Sequence, residues 1–462
     1  VPCVWGLFLA MASSSVTSDL PPVPREIRAA WVATVDNIDW PSRPGLSEEQ
    51  QREELERTVD RLHRAGINVL IFQVRPSYDA VYPSSLEPSS WFLTGEQGKP
   101  IGWDPLQVAL ALCHARGIEL HAWINPFRAL HPAQRGPTST DHVTGKAPER
   151  VVTFGRYKWA DPGAPESRAE ALAGVRDLLA RYPLDGVHID DYFYPYPVKD
   201  ARFDDDRSYG EYRRSGGNLG REAWRRANVD QFVKDLYELV KKSRPWAKFG
   251  ISPFGIYRPN VPAGIKAGID PFVDLAADSR KWLREGWCDY FVPQLYWKRS
   301  STGQPFGKLL QWWIGENKHD RQLVAGLFTS QIGPQGKGWP VAEIVGQIEM
   351  TAKLGAEGHA HFSAKAVRDD WGGIRPRLVA SPAWPGPPKR ISSPRPPKVV
   401  NGAPVSEEPV KGYLVAERVG KGGGPWRFRT PGPIKTEAKQ VAVRALGVGG
   451  AVSAPVLWTP PH

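Results

Sequence analysis

Apolar positions along the chain fall into two alternating rhythms. Short runs rich in Val, Ile, Leu, Phe and Trp carry the two-residue period of a strand, and between them lie stretches with apolar residues three and four apart, the period of a helix. Strands are predicted over 27–35, 68–75, 118–125, 186–191, 248–254, 289–297, 323–329 and 359–363. Helices are predicted between them, such as those over 47–65, 104–116, 165–182, 221–243 and 341–354, several opening with Ser, Asp or Pro and closing at Gly. Eight β-then-α units within roughly 350 residues predict an α/β fold, a (β/α)8 TIM barrel, whose active sites gather where the C-terminal ends of the strands meet their loops. A doubly wound sheet is disfavoured, because no glycine-rich phosphate loop follows the first strand.

Barrel geometry sorts the polar residues inside these runs. In LDGVHIDDYFYPYP, residues 184–197, Val187 and Ile189 share one register and face the helix shell, which leaves His188 and Asp190 pointing inward. Asp191 falls in the shell register and leaves the axis unless the chain bends. The same alternation places Gln73 and Arg75 inward above Val69 and Ile71, Trp123 and Asn125 inward on the third strand, and Gln294 and Tyr296 inward on the sixth. Polar groups from several strands therefore converge on one rim. Arg75 is expected either to hold a carboxylate or polarise a substrate, or to pair with Asp190.

Composition narrows the chemistry. The chain has 462 residues, 41% of them hydrophobic, enough to bury a full core and a smaller second unit. Its 19 tryptophans and 14 tyrosines suit flat, partly polar ligands such as sugars. A net charge of +11 favours an anionic polymer or surface as neighbour, and no nucleic-acid motif accompanies it. Cys3, Cys113 and Cys288 form neither a CxxC pair nor a metal cluster. The acidic run Asp204, Asp205 and Asp206 lacks EF-hand spacing and reads as solvated, while His359 and His361 share one face of the last strand in a packed or substrate-contacting role. No metal and no cofactor is expected. The absence of GxSxG, HExxH and P-loop patterns argues against esterase, metalloprotease and NTPase chemistry.

The ends of the chain differ from its middle. Residues 1–12, VPCVWGLFLAMA, resemble the apolar region and small-residue cleavage site of an export signal, and no later segment has the length of a membrane span. A secreted or periplasmic location follows as the expectation. The expected organisation is a signal remnant and N-terminal linker at 1–24, a barrel at 25–380, a proline-rich spacer at 381–400 and a small β module at 401–462. The short strands of that module resemble the last strands of a degenerate fibronectin type III sandwich.

Several segments together, REIRAAWVATVDNIDWPS, NVLIFQVRPSYDAVYPSSLEPSS, LHAWINPFR, LDGVHIDDYFYPYP, FGISPFGIYR and DSRKWLREGWCDYFVPQLYW, resemble the bacterial glycosyl-hydrolase-like barrel family long labelled a domain of unknown function. The resemblance covers roughly residues 25–377. It implies a glycoside hydrolase of the cell envelope, acting on peptidoglycan glycan strands stripped of stem peptides. It also implies Asp36, Gln73, Arg75, Asn125, His188, Asp190, Asp191, Tyr192, Gln294, Tyr296 and Trp297 as site members, and Tyr194 joins Tyr296 and Trp297 as an expected sugar-facing aromatic. The segment departs from the chitinase pattern DGxDxDxE, since Tyr192 stands where the catalytic Glu would be and His188 replaces the first inner Asp. A basic residue two positions before an Asp nucleophile matches the amylase-type strand. Glycosidic cleavage needs two carboxyl groups. Asp190 is the first, and the second is open among Asp191, Asp278 and Asp36. A noncatalytic glycan-binding scaffold and a glycan transferase on the same barrel are the competing readings.

Overall fold

The computed structural model describes residues 20–334, 337–378, 383–387, 391–419 and 422–460. The expected export segment and Cys3 lie outside the described residues. Within the rest, eight parallel strands alternate with eight helices. The strands are β1 (Ile27–Val32), β2 (Val69–Arg75), β3 (Glu119–Ile124), β4 (Gly186–Ile189), β5 (Lys248–Ile251), β6 (Tyr290–Phe291), β7 in two pieces (Gln322–Leu323 and Ala325–Leu327) and β8 (Gly358–His361). The helices that follow them in turn are α1 (Glu48–Arg64), α2 (Pro105–His114), α3 (Pro165–Arg181), α4 (Arg221–Ser243), α5 (Ser279–Arg284), α6 (Phe306–Glu316), α7 (Val341–Leu354) and α8 (Ala364–Arg368).

The two pieces of β7 close the ring. The lower piece pairs with β6 and the upper piece with β8, and the backbone ladder runs through both: Val324 N–H donates to Phe291, Gly326 N–H to Pro293, and Phe362 N–H to Leu327. Every other strand pairs with its sequence neighbour, and β1 with β8. No sheet edge is left among these strands, which is the property that lets a parallel barrel stand without a covering partner. The (β/α)8 architecture expected from the two rhythms is the architecture observed.

Strand alternation is visible as two separate apolar layers. Ala30, Val32, Leu70, Phe72, Leu120, Ala122, Val187, Ile189, Phe249 and Ile251 pack outward against the helices. Ile27, Ala29, Trp31, Val69, Ile71, Trp123, Tyr290, Val292, Val324 and Ala360 fill the interior. Helix starts follow their sequence signals: Ser47 and Gln50 form a reciprocal capping box at α1, and Asp104 caps α2 ahead of Pro105. Between β3 and α3 the chain builds an antiparallel sheet of Arg128–Leu130, Tyr157–Ala160 and Val151–Phe154, following the C-terminal end of β3. Among the described residues, no helix is long and apolar enough to cross a membrane.

Among the described residues, those from 26 to 378 form one compact unit, and residues 20–25 with those from 383 to 460 form the other. In the second unit, Val410–Val419 pairs with Val441–Gly447, which pairs with Val456–Trp458, while Arg427–Arg429 and Gly422–Gly423 add to the first strand. Both faces of this sheet are covered. Leu414, Ala416 and Leu446 pack with Leu20, Trp384 and Trp426 on one face, and Tyr413, Val415, Val443 and Ile434 pack on the other. Trp384, within the stretch expected to be a proline-rich spacer, is thus a core residue, and so is Leu20 from before the barrel.

Since both apolar layers of the barrel are built from residues of the first unit alone, a fragment of residues 26–380 is expected to unfold in one cooperative transition. Thermal circular dichroism checks this. A broad, non-cooperative melt of the fragment would show that the barrel needs the second unit.

Candidate active site

The interior of the barrel is polar along one side, and its hydrogen bonds can be followed from floor to rim. At the floor, Lys248 Nζ donates to Glu119 Oε2 at 2.9 Å, and His121 Nε2 lies 3.3 Å from the same oxygen. His121 Nδ1 and His188 Nδ1 each lie 2.8 Å from the Tyr290 hydroxyl. His188 Nε2 is 2.8 Å from Ser252 Oγ and 3.3 Å from Trp31 Nε1. One assignment of protons satisfies all of these contacts, because indole N–H only donates and carboxylate only accepts. His121 donates through Nε2 to Glu119, Tyr290 donates to His121 Nδ1, His188 donates through Nδ1 to Tyr290, and His188 Nε2 accepts from Trp31 and Ser252. Burial and the neighbouring His121 hold the His188 pKa well below its ordinary value, so the ring is neutral. Two glycines make room for the rings: a Cβ on Gly250 would fall 1.9 Å from the Tyr290 ring, and one on Gly186 would fall 2.8 Å from His121.

Above this column sits Asp190, buried to 5% exposure. Its position is set by a relay that begins at the end of β1. The backbone N–H groups of Thr34 and Val35 both donate to Gln73 Oε1 at 2.9 Å, which orients the Gln73 amide and turns its Nε2 toward Asn125 Oδ1. Arg128 donates to that same Asn125 oxygen at 2.7 Å. Asn125 must therefore present its N–H to Asp190, and Nδ2 lies 2.9 Å and 2.7 Å from the two carboxylate oxygens. The Tyr192 N–H adds a contact of 3.3 Å.

Asp191 joins Asp190 because the strand ends early. Sheet pairing stops at Ile189, the chain bends, and Asp191 turns back to the rim instead of entering the helix shell. It is 2% exposed, accepts a hydrogen bond from Tyr196, and is bonded by Gln294, whose Nε2 also donates to the Ser252 carbonyl at 2.9 Å. Burial first, and then the charge of Asp190, raise the Asp191 pKa to about 7. Burial raises Asp190 as well, but there the Arg128 guanidinium and the Asn125 amide oppose it. Both carboxyls are thus harder to ionise than an ordinary aspartate, and Asp190, with Arg128 and Asn125 beside it, is the member favoured to carry the first charge of the pair. Half-buried rings line the surroundings: Tyr192 beneath Arg128 at 5.1 Å, Tyr196 beside Phe254 at 6.2 Å, and Tyr296 against Phe328 at 4.8 Å and Phe362 at 6.0 Å.

Other expected members lie elsewhere. A bulge between Gln73 and Arg75 breaks the alternation of β2 and turns Arg75 to the shell, where it pairs with Glu87, covers Tyr78 and lies against Gly174 of α3. It pairs with neither Asp190 nor the interior. Tyr194 is buried outside the barrel against Phe203 and Arg225, and Trp297 packs edge-on to Phe254 at 5.6 Å on the shell side. Asp278 caps α5 and accepts from Tyr257 at 3.1 Å. Asp36 is exposed on the turn after β1, with its backbone at φ 57°. The His359 and His361 pair also faces the shell, with His361 bonded to Thr329 at 2.7 Å and His359 facing Glu26 at 3.5 Å. In the acidic run, Asp205 is buried between Arg221 and Arg225, whereas Asp204 and Asp206 are exposed.

Residues 26–339 match the family model described as glycosyl hydrolase-like 10. The chain is 38% identical over 364 residues to "Glycosyl hydrolase YngK" of Bacillus subtilis (strain 168), covering 77% of this chain and 71% of that protein. It is 33% identical over 332 residues to "Glycosyl hydrolase DigH" of Escherichia coli (strain K12), covering 67% of this chain and 75% of that protein. Among solved structures, the PgaB (BpsB) glycoside hydrolase domain from Bordetella bronchiseptica superposes with a TM-score of 0.48 at 14% identity, covering 76% of this chain and 99% of that one.

The interior column yields a stability test. Tyr290→Phe removes the hydroxyl that serves both imidazoles and leaves the buried His188 N–H without an acceptor, so unfolding free energy is expected to drop by about 2–3 kcal/mol. Urea denaturation reads this directly. An unchanged midpoint and slope would contradict the proton assignment.

Proposed function

This chain belongs to the glycosyl hydrolase-like 10 family, and from that premise we propose that it is a glycoside hydrolase of the cell envelope. The substrate is a polysaccharide, namely peptidoglycan glycan strands freed of their stem peptides. The observation that carries the reading is the acid pair: two consecutive buried carboxyls at one strand end, both with raised pKa, Asp191 to about 7 and Asp190 opposed in its rise by Arg128 and Asn125. Glycosidic cleavage asks for that division, an acid that protonates the leaving oxygen and a carboxylate that stabilises positive charge at the anomeric centre. In this reading Asp191 is the acid and Asp190 the anion.

Gln73 and Asn125 act through Asp190, as the relay that fixes the orientation of its carboxylate, and Arg128 keeps the anion charged. The half-buried rings of Tyr192, Tyr196, Phe254 and Tyr296 offer the apolar faces on which pyranose rings stack. Peptide-free strands expose a lactyl carboxylate on alternate sugars. They form an anionic polymer, which the +11 net charge of the chain attracts. The apolar run at residues 1–12 supports delivery to the envelope.

Incubation of purified protein with peptide-free glycan strands is expected to release new reducing ends. Asp190→Asn keeps the shape and removes the charge, so turnover is expected to fall on the order of 10³-fold while the melting curve is preserved. Binding without release by the wild-type chain would favour the noncatalytic scaffold, and products heavier than hydrolysis permits would indicate transfer. Near wild-type cleavage by Asp190→Asn would overturn the assignment of the anion.

A further inference from the structure

The antiparallel sheet inserted between β3 and α3 stands beside the acid pair, and the use derived for it here rests on the hydrolase reading above. Directly paired strand residues, and residues two apart on one strand, point to the same face of a sheet. Arg128 pairs with Trp159, Trp159 with Val152, and Tyr157 with Phe154, so these side chains share one face while Lys158 and Ala160 point the other way. Arg128 is the guanidinium that bonds to Asn125 and lies over Tyr192. Trp159 lies 6.2 Å from the same Tyr192 ring, and its indole N–H donates to the Phe193 carbonyl at 2.8 Å. One end of the sheet is thereby fixed to the segment that carries Asp190 and Asp191.

From that end a line of rings leads toward the hairpin turn. Tyr157 follows Trp159 at 6.4 Å, His131 follows Tyr157 at 5.5 Å, and Phe92 lies 6.1 Å from His131. Exposure grows along the way: Trp159 is buried, Tyr157 and His131 are half-buried, and the turn residues Gly155 and Arg156 are exposed. Burial, and then the guanidinium groups of Arg128 and Arg156, hold the His131 pKa down to about 4, so its ring is uncharged at neutral pH. Rings that are fixed by their neighbours yet open on one side suit the apolar face of a pyranose, and the cation at the turn suits a carboxylate on the same strand.

We propose that this face of the inserted sheet is an outer glycan subsite, in which Tyr157 and His131 stack against a sugar beyond the one being cleaved and Arg156 faces a carboxylate of the strand. The anchorage at Arg128 and Trp159 keeps a sugar bound there in register with the bond at the acid pair. Binding energy from this place is open only to strands long enough to reach Tyr157, and it is realised away from the reacting bond. The inserted sheet, rather than the barrel rim, then sets a preference for long strands over short ones.

The test measures kcat/KM of the full chain on peptide-free glycan strands of graded length, and a rise with length is expected for the wild type. In Tyr157→Ala the ratio of kcat/KM between the longest and the shortest strands is expected to fall about 10-fold, the contribution of one stacked ring, and Tyr157→Phe, which keeps the ring, is expected to recover most of it. A wild-type kcat/KM that does not rise with length would overturn the proposal while the hydrolase reading stands. So would a loss in Tyr157→Ala of equal size at every length, which is the result of a merely structural role. If the wild type cleaves none of the strands, the hydrolase reading falls and the affinity of the same strands decides the subsite: binding that tightens with length and loses this dependence in Tyr157→Ala supports it, and binding independent of length overturns it.

Discussion

Two carboxyl groups on neighbouring residues, both removed from water, resist being charged together. Asp190 and Asp191 are in that situation, and the surrounding structure decides which of them keeps the proton. The decision is made by neighbours with fixed orientation. Two backbone N–H groups at the end of β1 force the Gln73 amide one way, Gln73 and Arg128 force Asn125 the other, and Asn125 then has only a donor to offer Asp190. Asp191 accepts from Tyr196 and Gln294, without a guanidinium of its own, and feels the charge beside it. The asymmetry of the pair is thus a property of three strands acting together.

The barrel makes such a relay possible because closure holds adjacent strands in fixed register. Thr34, Gln73, Asn125 and Asp190 come from four consecutive strands or their ends, and each bonds to the next around the rim. Beneath them the column from Lys248 to Ser252 replaces part of the usual apolar filling with a chain of directed hydrogen bonds. It leaves His188 neutral, which keeps a second cation away from the anion, and it fixes the residue whose carbonyl anchors Gln294. Rim and interior are one hydrogen-bonded assembly, joined through Ser252.

The alternation of apolar and polar positions was enough to find the barrel and the inward direction of Gln73, Asn125, His188, Asp190 and Gln294. It would also have found Tyr290, four residues before Gln294 in the same register. What alternation could not reach were the places where a strand stops being regular. The bulge at the end of β2 sends Arg75 to Glu87 in the shell, and the bend after Ile189 brings Asp191 back to the rim. Arg128, on the short strand 128–130 inserted after β3, and Tyr196, in the loop after β4, lie outside the barrel strands whose period specifies direction. Tyr194 follows the same bend and ends outside the barrel among Phe203 and Arg225. Local chain geometry, absent from a two-residue pattern, is the physical reason in each case.

The central claim is that one proton is held on Asp191 near neutral pH beside a charged Asp190. Carboxyl-carbon NMR of protein labelled with ¹³C at the aspartate side chains measures it directly, with Asp191→Asn to identify the signal. The account predicts one buried carboxyl that is protonated in acid, ionises near about pH 7, and is missing from the spectrum of the variant. Two ionised carboxyls already at about pH 5, close to the ordinary aspartate range, would contradict it.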